Sequence, residues 1–159
     1  MELRSFTPAD GQSVTEWIGD ERAFRMWCAD RFEKYPITAE EFNAIYNAPT
    51  PFTGMIACDG GEAIGHFFIQ PLGNSVYKLG LIIVDGQKRG KGYGKKMVET
   101  AVEYVKTNFN AESIILYAFD GNPAAYNCYK SLGFSETGKV TQFVFWGETH
   151  NYIELKLAL

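Results

Sequence analysis

Histidine and cysteine are scarce here, with two and three copies in 159 residues. The cysteines, Cys28, Cys58 and Cys128, are far apart, odd in number and form no CxxC pair. His66 and His150 are equally isolated. A disulfide framework and a structural zinc site are therefore not expected, and a reducing cytoplasm is the expected location. No apolar run approaches the roughly 18 to 20 residues that a membrane span requires. The start, MELRSFTPADGQ, lacks the basic stretch and apolar segment of a secretory signal. Positive charge is also short, at 15 basic against 19 acidic side chains, a net of −4. A nucleic-acid partner, which needs a broad basic face, is not expected either.

What is present is ordinary in bulk and unusual in detail. Apolar residues make up 46 % and charged residues 21 %, enough for a packed core and against disorder. The length suits a single domain over 1–159. Aromatic content is high, with 12 Phe, 9 Tyr and 3 Trp. Charge is uneven. Residues 1–60 hold ten acids against five bases, whereas residues 61–159 hold nine against ten. Five of those ten bases cluster as Lys88, Arg89, Lys91, Lys95 and Lys96.

The patterning predicts strands over Glu2–Phe6, Thr53–Cys58, Ala63–Gln70, Val76–Val84, Ser113–Phe119, Val140–Trp146 and Tyr152–Leu157. Asp59-Gly60-Gly61 is a tight hairpin signal. Thr7-Pro8-Ala9-Asp10 starts a helix, Asp20–Trp27 is helical, and Thr38-Ala-Glu-Glu41 is a capping box. Gly92–Phe109 carries helical periodicity. Asn122-Pro123 opens another helix, which Gly133 ends. The order is that of an α+β fold whose second half, strand–helix–strand, calls for a local parallel pair within a mixed, mostly antiparallel sheet.

The chemistry concentrates after the apolar strand LGLIIV. There Gly90, Gly92 and Gly94 alternate ahead of a helix. Glycines permit close backbone approach, and a helix start offers unpaired N–H groups and a positive dipole end. Together they form an anion cradle suited to phosphates. A Walker A loop would need Gly at 89 and Ser or Thr at 96, where Arg89 and Lys96 stand. The dinucleotide fingerprint would need Gly where Lys95 stands. What fits is Arg89-x-x-Gly92-x-Gly94. Gln87-x-x-Gly90-x-Gly92 fits the Gln form of the same pattern, so the frame stays open.

These residues resemble the GNAT N-acetyltransferases. A second block agrees: Leu116 to Asn122, Pro123, Ala125, Tyr129, then Leu132-Gly133-Phe134. The resemblance spans about 63–135, which it makes the acetyl-CoA-binding core of a GNAT acyltransferase fold. Residues 1–60 become a variable acceptor-side region and 136–159 a closing strand pair. By resemblance, the strand of Ile82, Ile83 and Val84 splays from its parallel neighbour and pairs with the pantetheine arm of acetyl-CoA. An amide near Ile83 or Val84 polarises the thioester. Amides from Arg89, Gly90, Lys91, Gly92, Tyr93, Gly94 and Lys95 hold the pyrophosphate. Asn122 and Ala125 contact the cosubstrate, and Tyr129 protonates the departing thiolate.

Each assignment has a plainer counterpart. Asn122 is a good N-cap, Tyr129 could be a core tyrosine, and Cys128 reads as a buried thiol rather than a nucleophile. The base that deprotonates an amine is less legible. The strand carboxylate that some family members use is replaced by Lys78. His66, Glu148 and His150 are candidates, and so is a water chain. No metal is expected. The aromatic, acidic first third, with Asp20, Glu21, Asp30, Glu33, Glu40 and Glu41, suits a cationic small-molecule or peptide amine. A ribosomal-protein-type N-terminal acetyltransferase and a silent acyl-CoA sensor are the alternatives. Exposed aromatics on the last strands suggest a homodimer.

Overall fold

The computed structural model describes residues 1–47 and 49–159. Seven strands form one sheet: β1 (Glu2–Ser5), β2 (Thr53–Asp59), β3 (Glu62–Gly73), β4 (Val76–Val84), β5 (Ser113–Phe119), β6 (Ser135–Phe145) and β7 (Glu148–Ala158). Their spatial order is β1-β2-β3-β4-β5-β7-β6. Every neighbouring pair is antiparallel except β4 and β5, which run parallel, as the strand–helix–strand order predicts.

Helices cover both faces. On one lie α4 (Tyr93–Asn108) and α5 (Pro123–Ser131); on the other, α1 (Gly11–Glu16), α2 (Glu21–Cys28) and α3 (Ala39–Asn43). Strand alternation feeds two cores. Met55 and Ala57 of β2 pack with Met97, Ala101 and Val105 of α4, whereas Ile56 and Cys58 pack with Phe24, Phe42 and Val14. The short helices depend on caps. Asp20 accepts from the amide of Ala23 at 2.7 Å, and Thr38 and Glu41 close the predicted capping box. Asp10 accepts from the Thr7 amide and is clasped by the Arg4 guanidinium at 2.6 Å, which lowers its carboxyl to about 2.

Several predicted boundaries move, among them that of β7, which begins at Glu148 rather than Tyr152, and that of β3, which runs on to Gly73. Pro8–Asp10 is a single 3-10 turn, and α1 begins at Gly11. β6 starts at Ser135, five residues before the predicted Val140. It is an edge strand, so Ser-Glu-Thr-Gly-Lys faces water and shows no alternation; its pairing also shifts register between Glu136 and Val140. Most aromatics of the first third are core. Phe6, Phe24, Phe32, Phe42 and Tyr46 pack ring to ring, around His66. Among the described residues no helix is long and apolar enough to cross a membrane.

Candidate active site

The site starts where the parallel pair fails. β4 and β5 pair only from Val76/Ser113 to Lys78/Ile115. Beyond that point β5 stays paired to β7 and β4 to β3, and the two strands part. The edge of β4 from Leu79 to Val84 that faces β5 is left without a strand partner. A bulge exaggerates the parting. β4 registers Gly80 on Phe68 but Ile83 on His66, so one residue is extra. Leu81 takes it up with φ 48°, a left-handed conformation rare for leucine. Leu79 therefore faces the α4 core, whereas Leu81 and Ile83 face the α1–α3 core.

Gly80, next to the bulge, lets the Phe68 ring lie against β4. A Cβ there would stand 2.2 Å from the Phe68 ring. The bulged carbonyl of Leu81 accepts a hydrogen bond from His66 Nδ1 at 3.1 Å, and His66 Nε2 lies 2.7 Å from the Tyr46 hydroxyl.

The gap is a slot of about 500 Å³, lined by Ile82, Ile83, Val84, Arg89, Asn122, Ala125 and Tyr129 of the expected residues. Trp27, Tyr117 and Tyr152 add aromatic walls, and Asp20 and Arg22 stand at its α2 side. Tyr129 is 6 % exposed. Burial, with small contributions from Cys128 and Tyr152, holds its hydroxyl well above the usual tyrosine range, so it keeps its proton. Asn122 is the N-cap of α5, accepting from the Ala125 amide at 3.2 Å, and it lines the slot as well. Trp27 Nε1 is buried and has no hydrogen-bond partner among the described residues. A donor in that state suits an acceptor atom brought by a ligand.

The glycine loop continues from Val84. Gly90 (φ 74°) and Gly92 (φ 81°) are left-handed, and nothing lies within 4 Å of where their Cβ atoms would be. Gly92 is the N-cap of α4 with no side chain capping it, so the first amides of the helix lack that partner. This is an open cradle with the donors that a pyrophosphate needs, and acetyl-CoA fits it. Gly90, Lys91, Gly92, Tyr93, Gly94 and Lys95 lie here, outside the enclosed slot. The five bases divide. Lys88 pairs with Glu62 at 2.7 Å, and Arg89 donates to the carbonyls of Val84 and Trp17 at 3.1 and 3.0 Å. Lys91, Lys95 and Lys96 remain exposed.

The candidate bases are not brought to the slot. His66 is fully buried in the α1–α3 core, and burial lowers it to about 4. Glu148 is exposed, 3.6 Å from Arg22 and 3.5 Å from His150. Of the six carboxylates expected to draw a cation, Asp20 lines the slot and Asp30 a cavity beside it, and the other four line neither.

A second cavity of about 360 Å³ adjoins the slot, sharing Trp27, Gly80, Leu81 and Tyr152 with it. Cys28, Ala29, Asp30, Arg31, Phe68, Lys78 and Phe143 complete its lining. Arg31 and Lys78 were no part of the predicted site. The signal for Arg31, a turn residue after α2, is not readable without the fold. For Lys78, a lysine within the apolar run VYKLGLIIV was the available sign.

A sheet opened along one parallel seam, with a phosphate cradle at the end of the opened strand, defines the class of acyl-CoA-binding transferase folds. The profile of the acetyltransferase (GNAT) family matches residues 14–134. The chain belongs to that family. It is 28 % identical over 145 residues to aminoglycoside N(6')-acetyltransferase type 1 of Klebsiella pneumoniae, covering 80 % of this chain and 66 % of that one, just under two thirds. In structure it is similar to the spermidine N-acetyltransferase of Vibrio cholerae in complex with CoA and spermine. There the TM-score is 0.82 and the identity 20 %, over 99 % of this chain and 94 % of that one. It is also similar to the ribosomal-protein-alanine N-acetyltransferase of Brucella melitensis, with TM-score 0.79 and 18 % identity over the full length of both.

Proposed function

We propose that the protein transfers the acetyl group of acetyl-CoA to a primary amine, by direct attack of the amine within a ternary complex. The observation that carries this reading is the slot itself: an unpaired β4 edge leading from a protonated, buried Tyr129 to an open glycine cradle. The relatives named for aminoglycoside and spermidine acetylation support an amine as the acceptor.

The protein's own groups divide the work. The unpaired edge from Leu79 to Val84 binds the pantetheine arm as an added strand would. An amide near Ile83 or Val84 draws charge from the acyl oxygen. The loop amides from Arg89 to Lys95 and the start of α4 hold the pyrophosphate. Acetyl-CoA supplies an activated acyl group, whose carbon bonds to the amine nitrogen as the carbon–sulfur bond breaks. Tyr129 gives its proton to the departing sulfur and regains one from solvent. The amine releases its proton to water at the mouth beside Asp20 and Arg22. His66, with both ring nitrogens engaged in the core, takes no part. Asp20, which lines the slot, and Asp30, in the adjoining cavity, meet the ammonium form of the acceptor as it arrives.

The test is release of free thiol from acetyl-CoA across a library of amines. Turnover with at least one amine, accompanied by its acetylated product, is expected. Tight CoA binding with no turnover on any amine would favour the silent sensor reading.

A further inference from the structure

We propose that the acceptor amine also carries an acidic group, and that Arg31 and Lys78 hold this group in the cavity behind Gly80 while the amine stands in the slot. This rests on the transferase reading and narrows it, from a cationic amine to a zwitterionic one.

The charge of the second cavity is the first argument. Its lining contributes two cations, Arg31 and Lys78, against one carboxylate, Asp30. Both cations lie over the same ring, Phe68, at 5.4 and 5.9 Å from its centroid. Lys78 lies over Tyr117 as well, at 5.0 Å, and Arg31 over Phe52, also at 5.0 Å. Among the described residues neither forms an ion pair within 4 Å, and neither does Asp30. Glu154, the other acid near Lys78, accepts from Tyr117 and Thr137 and lies 3.4 Å from Lys139. Burial, then Arg31 and Lys139, push the Lys78 ammonium below the usual lysine range, and Glu154 only partly offsets them. Arg31 is exposed and Lys78 half-buried, so the repulsion between them is felt chiefly at Lys78, and an anion beside both relieves it.

The second argument concerns rings. An aromatic site built for a bare cation leaves ring faces open to it. Here Phe68 is already occupied by the protein's own cations, so a polyamine entering this cavity would meet like charge. A carboxylate or phosphonate meets a planar guanidinium that takes two oxygens side by side, and a lysine beside it.

The third is placement. The two cavities share Gly80, Leu81, Trp27 and Tyr152 in their walls. An anion held by Arg31 and Lys78 thus stands beside the slot, on the far side of that shared wall from Tyr129. A volume of about 360 Å³ suits an amino acid-sized ligand.

The experiment uses matched pairs: phenylalanine with phenethylamine, and lysine with cadaverine. Thiol release gives kcat/KM for each. The acid-bearing member is expected to be at least tenfold better in one or both pairs. Arg31→Glu should lower that ratio at least tenfold, and Lys78→Gln severalfold. Equal rates within each pair, or a ratio untouched by both variants, would overturn the proposal while leaving the transferase reading intact. Binding of the products, N-acetylphenylalanine against N-acetylphenethylamine with CoA present, is read by calorimetry and needs no turnover. Acid-selective binding lost in Arg31→Glu, with no turnover, would support the subsite and sink the transferase reading. No acid-selective binding and no turnover would sink both.

Discussion

His66 Nδ1 lies 3.1 Å from the carbonyl oxygen of Leu81, the residue that carries the bulge of β4. A carbonyl only accepts, so Nδ1 holds the ring's proton. In the neutral ring Nε2 is then an acceptor, and the Tyr46 hydroxyl, 2.7 Å away, donates to it. The ring thus answers a polar group that the bulge displaced from the β3–β4 ladder. The residue with the most apt titration range in the sequence is spent on holding the slot open, and its buried ring resists protonation.

That resistance makes stability depend on pH. Burial lowers His66 from 6.5 to about 4, so the unfolded chain takes up a proton that the folded one refuses. Its contribution is complete above pH 6.5 and is lost as pH falls toward 4, a total of about 3 kcal/mol at 1.36 kcal/mol per unit. Denaturant unfolding between pH 7.5 and 4.5 should show this slope. His66→Gln should be less stable at pH 7.5 and should flatten the slope by most of that amount. Parallel slopes for the two proteins would contradict the assignment.

Tyr129→Phe removes the proton donor and keeps the ring that packs near Phe134. Turnover should fall about 100-fold, at the lower end of general-acid effects, since a thiolate leaves readily even unaided. KM for acetyl-CoA should move less than threefold. Because burial holds the hydroxyl far above its usual range, no alkaline fall in kcat from Tyr129 is expected below pH 10. Unchanged turnover in the variant would return Tyr129 to the core.

How far the sequence could be read depended on how local the cause was. The glycine loop, the Asn122 cap and the parallel pair follow from neighbouring residues, and each stands where its pattern put it. Tyr129 was placed in the site by the family resemblance alone, since its position on the apolar face of α5 suits a core tyrosine equally well; in the structure it lines the slot. Arg31 and Lys78 come together only because α2 ends at a left-handed Ala29 (φ 53°) and both cations then lie over the ring of Phe68 on β3. His66 looked like a base because strand position shows which face a residue takes and not what covers that face. The aromatic first third was read as cavity wall, and it is chiefly the core that covers it. Trp27 does reach the slot, from the end of α2 rather than from its packed middle.

Gly92→Ala tests the cradle. The residue sits at φ 81°, where an L side chain is strained even with open space around it. A loss of about 1 kcal/mol in stability is expected from the left-handed conformation. The loop is expected to relax away from its phosphate-binding shape, raising KM for acetyl-CoA at least fivefold with a smaller effect on kcat. A reversed pattern, with kcat lost and KM kept, would place the pyrophosphate elsewhere.

Gly80→Ala tests whether one position sets both cavities. Its Cβ would stand 2.2 to 2.7 Å from the Phe68 ring, which is itself buried and cannot swing into solvent. Overpacking of this kind costs about 1 to 3 kcal/mol. The relief available is a shift of Phe68, and that ring carries Arg31 and Lys78 on its faces. Stability and acceptor selectivity should therefore fall together; because Gly80 also lies on the edge that takes the pantetheine arm, KM for acetyl-CoA should rise too, but less than in Gly92→Ala. Phe68→Leu makes room for the added methyl at the cost of a smaller ring-stacking surface. In combination the two substitutions should destabilise less than the sum of each alone, by about 1 kcal/mol, as neighbours sharing one clash do. Strict additivity would mean that the bulge of β4 absorbs the methyl without moving Phe68, and would separate the shape of the slot from the charge of the cavity behind it.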